Sequence, residues 1–220
     1  MIRSLIRQRI QDGINDPEGI FFTNDDAEDA IDEAMEVMVE EAGAIKRTAF
    51  LALQPATTFY WLTAIAPDVM SPWRIWSLVT EQRLTAVSMR QLDHVDRRWL
   101  ETHKNPEVWF PVSWDLFGIW PTPSEGGGVL RVDYLAWPRA LLDDRDEPEF
   151  QVSDTEAIVD YGIYTGLISR WDAARALQFW AQFNRRLGVS RDRTGVGRVQ
   201  SRAFRVGQAE EPGFSSGVGP

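Results

Sequence analysis

Apolar positions recur with a helical period at both ends of the chain and with a strand period in the middle. Ile2, Leu5, Ile6 and Ile10 fall on one helix face with Arg9 beside them, and Gly13 with Asp16-Pro17 ends the pattern. Thr23 is placed to cap a second helix whose first turn is acidic, where the helix dipole favours negative charge. The apolar stripe of that helix is Ala27, Ile31, Ala34, Met35, Met38 and Ala42, and Gly43 supplies the stop.

From Ala44 the period changes. IKRTAFLALQPATTFYWL (45–62) predicts two strands or a hairpin broken near Pro55, and RIWSLVT (74–80) with RLTAVS (83–88) predicts another pair. A helical turn is expected in MRQLDHVDRRWL, where Leu92, Val95, Trp99 and Leu100 share a face. VWFPVSWDLFGIWP predicts two strands, and VLRVDYLAWP one that ends at Pro138. In FGIWPTPSEGGGVLRVDYLAWPRAL (117–141), Gly126 to Gly128 read as the turn of a hairpin between two short aromatic strands. The first of these strands is apolar at both parities: Trp114, Leu116 and Gly118 on one, Phe117, Ile119 and Pro121 on the other. Such a strand should be covered on both faces.

After an acidic loop, Ser153-Asp154-Thr155-Glu156 has the form of a capping box, and Ile158, Val159, Ile163, Leu167 and Ile168 continue as a helix. Ser169 and Asp172 offer a cap for a last helix through Ala174, Leu177, Trp180, Ala181 and Leu187 to a stop at Gly188. The expected fold class is α+β. Residues 1–43 and 146–188 form a helical bundle, residues 44–145 an antiparallel β-sandwich inserted between its halves, and residues 189–220 a flexible, extended C-terminal tail.

Composition adds little to this picture and charge adds more. Ten Trp and eleven Phe in 220 residues favour a large core and subunit interfaces, and the absence of cysteine excludes disulfides, thiolate metal sites and Cys catalysis. No apolar run is long enough for a signal peptide or membrane span, so a soluble, cytosol-made protein without a membrane partner is expected. A net charge of −10 argues against nonspecific nucleic-acid binding. The sum hides an asymmetry: acids alone occupy the stretch from Asn24 to Gly43, while arginines dominate from Arg170 to Arg205. Opposite signs in two segments suit either contact between copies or a match within one molecule.

Candidate chemistry is sparse. Asp25, Asp29, Asp32, Glu36 and Glu40 form a candidate acidic surface, but without a His or the glycine of a calcium loop they lack a metal-binding or acid–base spacing. His94 and His103 do not share a helix face and read as surface residues. Gly126-Gly127-Gly128 lacks the Lys-Ser/Thr of a phosphate loop, and no Gly-x-Ser-x-Gly occurs. No catalytic residue, metal ligand or cofactor is therefore expected. The tryptophans around the strands leave open a carbohydrate- or receptor-binding sandwich, with core plus subunit interface as the stronger reading.

The order of these segments resembles the head-to-tail connector adaptors of tailed bacteriophages, the podovirus-type adaptors like tail tubular protein A. The resemblance runs through DDAEDAIDEAMEVMVEEAG, WRIWSLVTEQRLTAVSMRQLDHVDRRW, NPEVWF, GIWPTPSEGGGVLRVDYLAWPRAL, EPEF and EAIVDYGIYTGLISR, roughly residues 20–190. Pro121, Pro123, Tyr134 and Pro138 carry its most specific part. It implies a non-enzymatic structural virion protein at the head–tail junction: a homo-oligomeric, dodecameric ring between portal protein and tail or nozzle protein. DNA would pass through the lumen without sequence-specific binding, also during ejection. It further implies a C-terminal segment docked on the portal, with Arg198, Arg202, Phe204 and Arg205 as candidate portal or neighbour contacts. An acid-rich face toward the lumen would keep DNA from sticking, and which helix lines the channel is left open.

Overall fold

The computed structural model describes residues 1–95, 97–113 and 115–195. Four helices, α1 (Arg3–Gly13), α2 (Asn24–Ala42), α4 (Val152–Ser169) and α5 (Ala173–Thr194), form a bundle from the two ends of the chain. Helix α4 lies at its centre and touches the other three. Its sequence explains the position, because Ile158, Val159, Tyr161, Ile163 and Leu167 are buried around most of its circumference. A helix apolar all round must be surrounded. Against α1 the approach is close enough that a Cβ on Gly162 would sit 2.3 Å from Ile10 Cδ1, so glycine is required there. Arg170 and Arg175 donate to the last α1 carbonyls, of Ile14 at 2.5 Å and Gly13 at 3.1 Å, and so satisfy acceptors that the helix end leaves open.

The middle of the chain folds into eight strands: β1 (Lys46–Ala52), β2 (Phe59–Trp61), β3 (Val69–Ser77), β4 (Gln82–Arg83), β5 (Thr85–Ala86), β6 (Val108–Pro111), β7 (Leu116–Trp120) and β8 (Val129–Ala136). They make two sheets, β1-β8-β3-β4 and β2-β7-β6-β5. A shared core of Tyr60, Leu62, Ile75, Trp109, Phe117, Ile119, Leu130 and Val132 joins them as a sandwich. The outer face of the second sheet is covered by α3 (Met89–Val95) and a 3-10 turn (Trp99–Glu101), which bring Leu92 and Trp99 onto Phe110. The strand predicted to be apolar on both faces is thus β7, with Phe117 and Ile119 inward and Gly118 beneath the Phe110 ring.

Several expectations change. Strands β7 and β8 belong to different sheets, so the glycine-rich segment between them is a crossover and not a hairpin turn. It runs beside the β1–β2 connection, with Leu53 N donating to Gly128 O at 2.7 Å and Ala56 N to Pro123 O at 2.9 Å. Gly127 needs its positive φ of 96°, and a Cβ on Gly128 would meet Leu53. Likewise β1 and β2 are no hairpin. The sandwich is antiparallel except where β5 pairs parallel with β6. Helix α4 starts after Gln151, ahead of the expected capping box and without a side-chain cap, and Ser169 lies inside it. Asp172 caps α5 by accepting from Arg175 N. Gly188 does not stop α5; its side faces open space, and the left-handed Gly195 ends the helix instead.

Candidate assembly surfaces

Thr23 and Asp26 form a reciprocal capping box that starts α2, and the left-handed Gly43 closes it. One face of the helix is spent on the bundle core, which leaves its acids on the others. Glu28 is held by Arg3 at 2.9 Å and Arg7 at 2.5 Å, and Glu41 by Arg191 at 2.6 Å. Asp25, Asp29, Asp32, Glu36 and Glu40 take part in no ion pair among the described residues. Their spacing of three and four residues lines them up along the helix. Asp25, Asp29, Glu36 and Glu40 are exposed, while Asp32 is half-buried with its Oδ1 shielded and unpartnered. Loss of hydration pushes the Asp32 carboxyl above the usual range; Arg3 opposes this, and the neighbouring Asp29, Glu36 and Glu28 reinforce it.

The basic counterpart predicted near the C-terminus is largely consumed inside the molecule. Arg186 binds Asp160 at 2.7 Å, Arg193 binds Asp154 at 2.5 Å, Arg191 binds Glu41, and Arg170 and Arg175 cap α1. Asp160 is only 6% exposed, so burial raises its pKa even though Arg186 pulls the other way. The match along α5 is therefore intramolecular. Arg198, Arg202, Phe204 and Arg205 lie outside the described residues.

A second set of cations emerges where the sequence analysis found none. The strand register puts Lys46, Thr48 and Phe50 of β1, Arg131 and Asp133 of β8, Arg74 and Trp76 of β3, and Arg83 of β4 on the face of the first sheet turned away from the sandwich core. Bulges in β3 bring Trp73 to the same side, where Lys46 Nζ and Arg74 Cζ each lie 3.7 Å from its ring centre. Arg131 lies over Trp76 at 5.2 Å and pairs with Asp133 at 3.3 Å. Burial, and then the charge of Arg74, lowers the Lys46 pKa. Phe50 stands 62% exposed in this face. No periodic pattern marks these residues, because their adjacency depends on which strands pair.

Among the described residues the sheet tryptophans do not line up as an open row, although Trp61 on β2 is 55% exposed. Trp99 and Trp109 are buried, and Trp73 and Trp76 lie under cations, which does not favour a sugar-binding sheet. Trp171 is 94% exposed at the α4–α5 turn, beside Arg170, which stacks over the exposed Phe21. His94 and His103 are both exposed. Among the described residues no group of three His, Asp or Glu is placed to hold a metal, and no helix is long and apolar enough to cross a membrane.

Among the described residues, the features that stand out are surfaces: the cation-bearing outer face of the sandwich and the row of α2 acids without ion-pair partners. The chain belongs to the SU10 adaptor protein family, whose model matches residues 2–206. It is accordingly a bacteriophage adaptor, a structural component of the virion. No curated protein matches it.

Proposed function

We propose that the protein is a head-to-tail adaptor of the tail-tubular-protein-A kind, a ring between portal protein and tail or nozzle protein, with DNA passing through its lumen. The carrying observation is the family match over bundle and sandwich together, extending through Arg198, Arg202 and Arg205. The negative stripe of α2 and the positive outer sheet face support it, since patches of opposite sign can meet across an assembly contact. A dodecameric ring follows from the resemblance.

The segment beyond Gly195 is assigned to the portal through Arg198, Arg202, Phe204 and Arg205. Because α5 runs to Thr194, a truncation that tests this contact must end after Gly195. Electron microscopy of the purified protein with its cognate portal should show a ring stacked coaxially on the portal, and the truncated protein should lose the portal in a pull-down. A full-length protein that stays monomeric and ignores the portal would refute the adaptor reading. Normal portal attachment by the truncated form would refute the docking assignment alone.

A further inference from the structure

The outer face of the first sheet carries an excess of positive charge that the described residues do not balance. Lys46 and Arg74 share one indole, Arg83 stands exposed on the adjoining strand, and Asp133 is the one acid that the register places among them, already bound by Arg131 and by Thr48 at 2.9 Å. Four cations against one carboxylate leave this face positive. Like charges held close with no counter-charge are unfavourable, and stacking on tryptophan offsets only part of that cost. An anion from elsewhere is the missing element.

We propose that the acidic stripe of α2 from a second copy of this chain, Asp25, Asp29, Asp32, Glu36 and Glu40, docks on this sheet face. The inference rests on the adaptor reading and names the subunit contact of its ring. Three observations select this occupant. The stripe is the complementary charge, and it has no ion-pair partner among the described residues. The lengths agree: the sixteen residues of helix from Asp25 to Glu40 span about 22 Å, and the eight residues of β8 about 23 Å. Within one molecule no ion pair links α2 to Lys46, Arg74, Arg83 or Arg131, so the two surfaces are separately available. The segment that follows Gly195 starts near Lys46, which donates to Thr194 O at 2.6 Å, but its nearest charges, Arg198, Arg202 and Arg205, are of the wrong sign for the site, and its acids, Glu210 and Glu211, are two against the five of the stripe. Two different patches of one subunit meeting across copies make a heterologous contact, the kind that closes into rings. The α2 acids then lie between subunits and do not line a lumen.

Charge reversal on the full-length chain tests this. Arg74→Glu, or Arg83→Glu at a more exposed position, should weaken self-association about a hundred-fold, and Glu36→Arg should do the same. Mixing a sheet-face variant with Glu36→Arg should restore assembly, because every junction of an alternating ring is then complementary. Light scattering and electron microscopy read both results. Because the chain has no cysteine, a Thr48→Cys/Asp29→Cys variant should also give a ladder of disulfide-linked oligomers on oxidation, unlike Thr48→Cys/Gln178→Cys. Rings of unchanged mass from every reversed variant would overturn this contact and leave the adaptor reading standing. Absence of the ladder together with absence of rings, even with portal present, would overturn both. Loss of duplex DNA retention in the sheet-face variants with intact rings would overturn the contact and mark the face as a nucleic-acid surface.

Discussion

Helix α2 carries nine acids and α5 five arginines, and the two helices use their charge differently. Along α5, Arg175, Arg186, Arg191 and Arg193 each end on an acceptor of the same chain, and Arg186 reaches a carboxylate that is nearly buried. Along α2, Asp25, Asp29, Asp32, Glu36 and Glu40 take part in no ion pair among the described residues. The α5 arginines largely hold the bundle together, whereas on α2 ion pairs tie in Glu28 and Glu41 and leave the stripe to the surroundings. Net charge and charge runs cannot separate these uses; only the partner's position does.

That contrast can be broken by mutation. The largest effect is expected from Arg186→Met, which strands the Asp160 carboxylate inside the bundle and should cost about 2–4 kcal/mol in urea unfolding at neutral pH. Since Asp160 can then take up a proton, the loss should shrink as pH falls. A smaller loss, about 1 kcal/mol, should follow Thr23→Ala, which removes the capping box of α2. Asp32→Asn should go the other way and raise the melting temperature by a few degrees at neutral pH. The sign follows from its raised carboxyl pKa: the folded state resists ionisation, so the cost of Asp32 appears as pH rises through the usual carboxylate range and is absent well below it. The melting difference between wild type and Asp32→Asn should therefore vanish near pH 3. Smallest of all, Glu36→Gln and Glu40→Gln should change the stability of the free chain by no more than about 0.5 kcal/mol. A loss of several kcal/mol there would make α2 a second internal charge scaffold and erase the contrast.

Much of this was legible in the residues. The periodic stripes of α1 and α2, the Thr23 cap, the Gly43 stop and the division into bundle and sandwich follow from local chemistry, and the acidic stripe was visible at full length. What failed was nonlocal. The glycines before β8 look like a hairpin turn because flexibility is all that sequence reveals of them. Their actual reason, close passage against Leu53 and Pro55, exists only once the two crossovers lie side by side. Gly188 looked like a helix end because it is a poor helix former, but tertiary packing of Phe183 and Leu187 carries α5 past it. The outer sheet face was missed entirely, since Lys46, Trp73, Arg74 and Arg131 come from three strands and meet only through register and a bulge.

The α1–α4 packing sets an order of events during synthesis. Ile6, Ile10 and Ile14 bury against a helix made more than a hundred residues later, and Arg9 finds Glu156 only then. A growing chain therefore emerges with its first two helices unable to shield their apolar sides, while every strand of the sandwich is already out before α4 begins. The last forty-odd residues of the described chain act as the closing half of a clasp, and a nascent chain halted before Val152 should be held by chaperones or lost to proteases, whatever the soundness of its sheets.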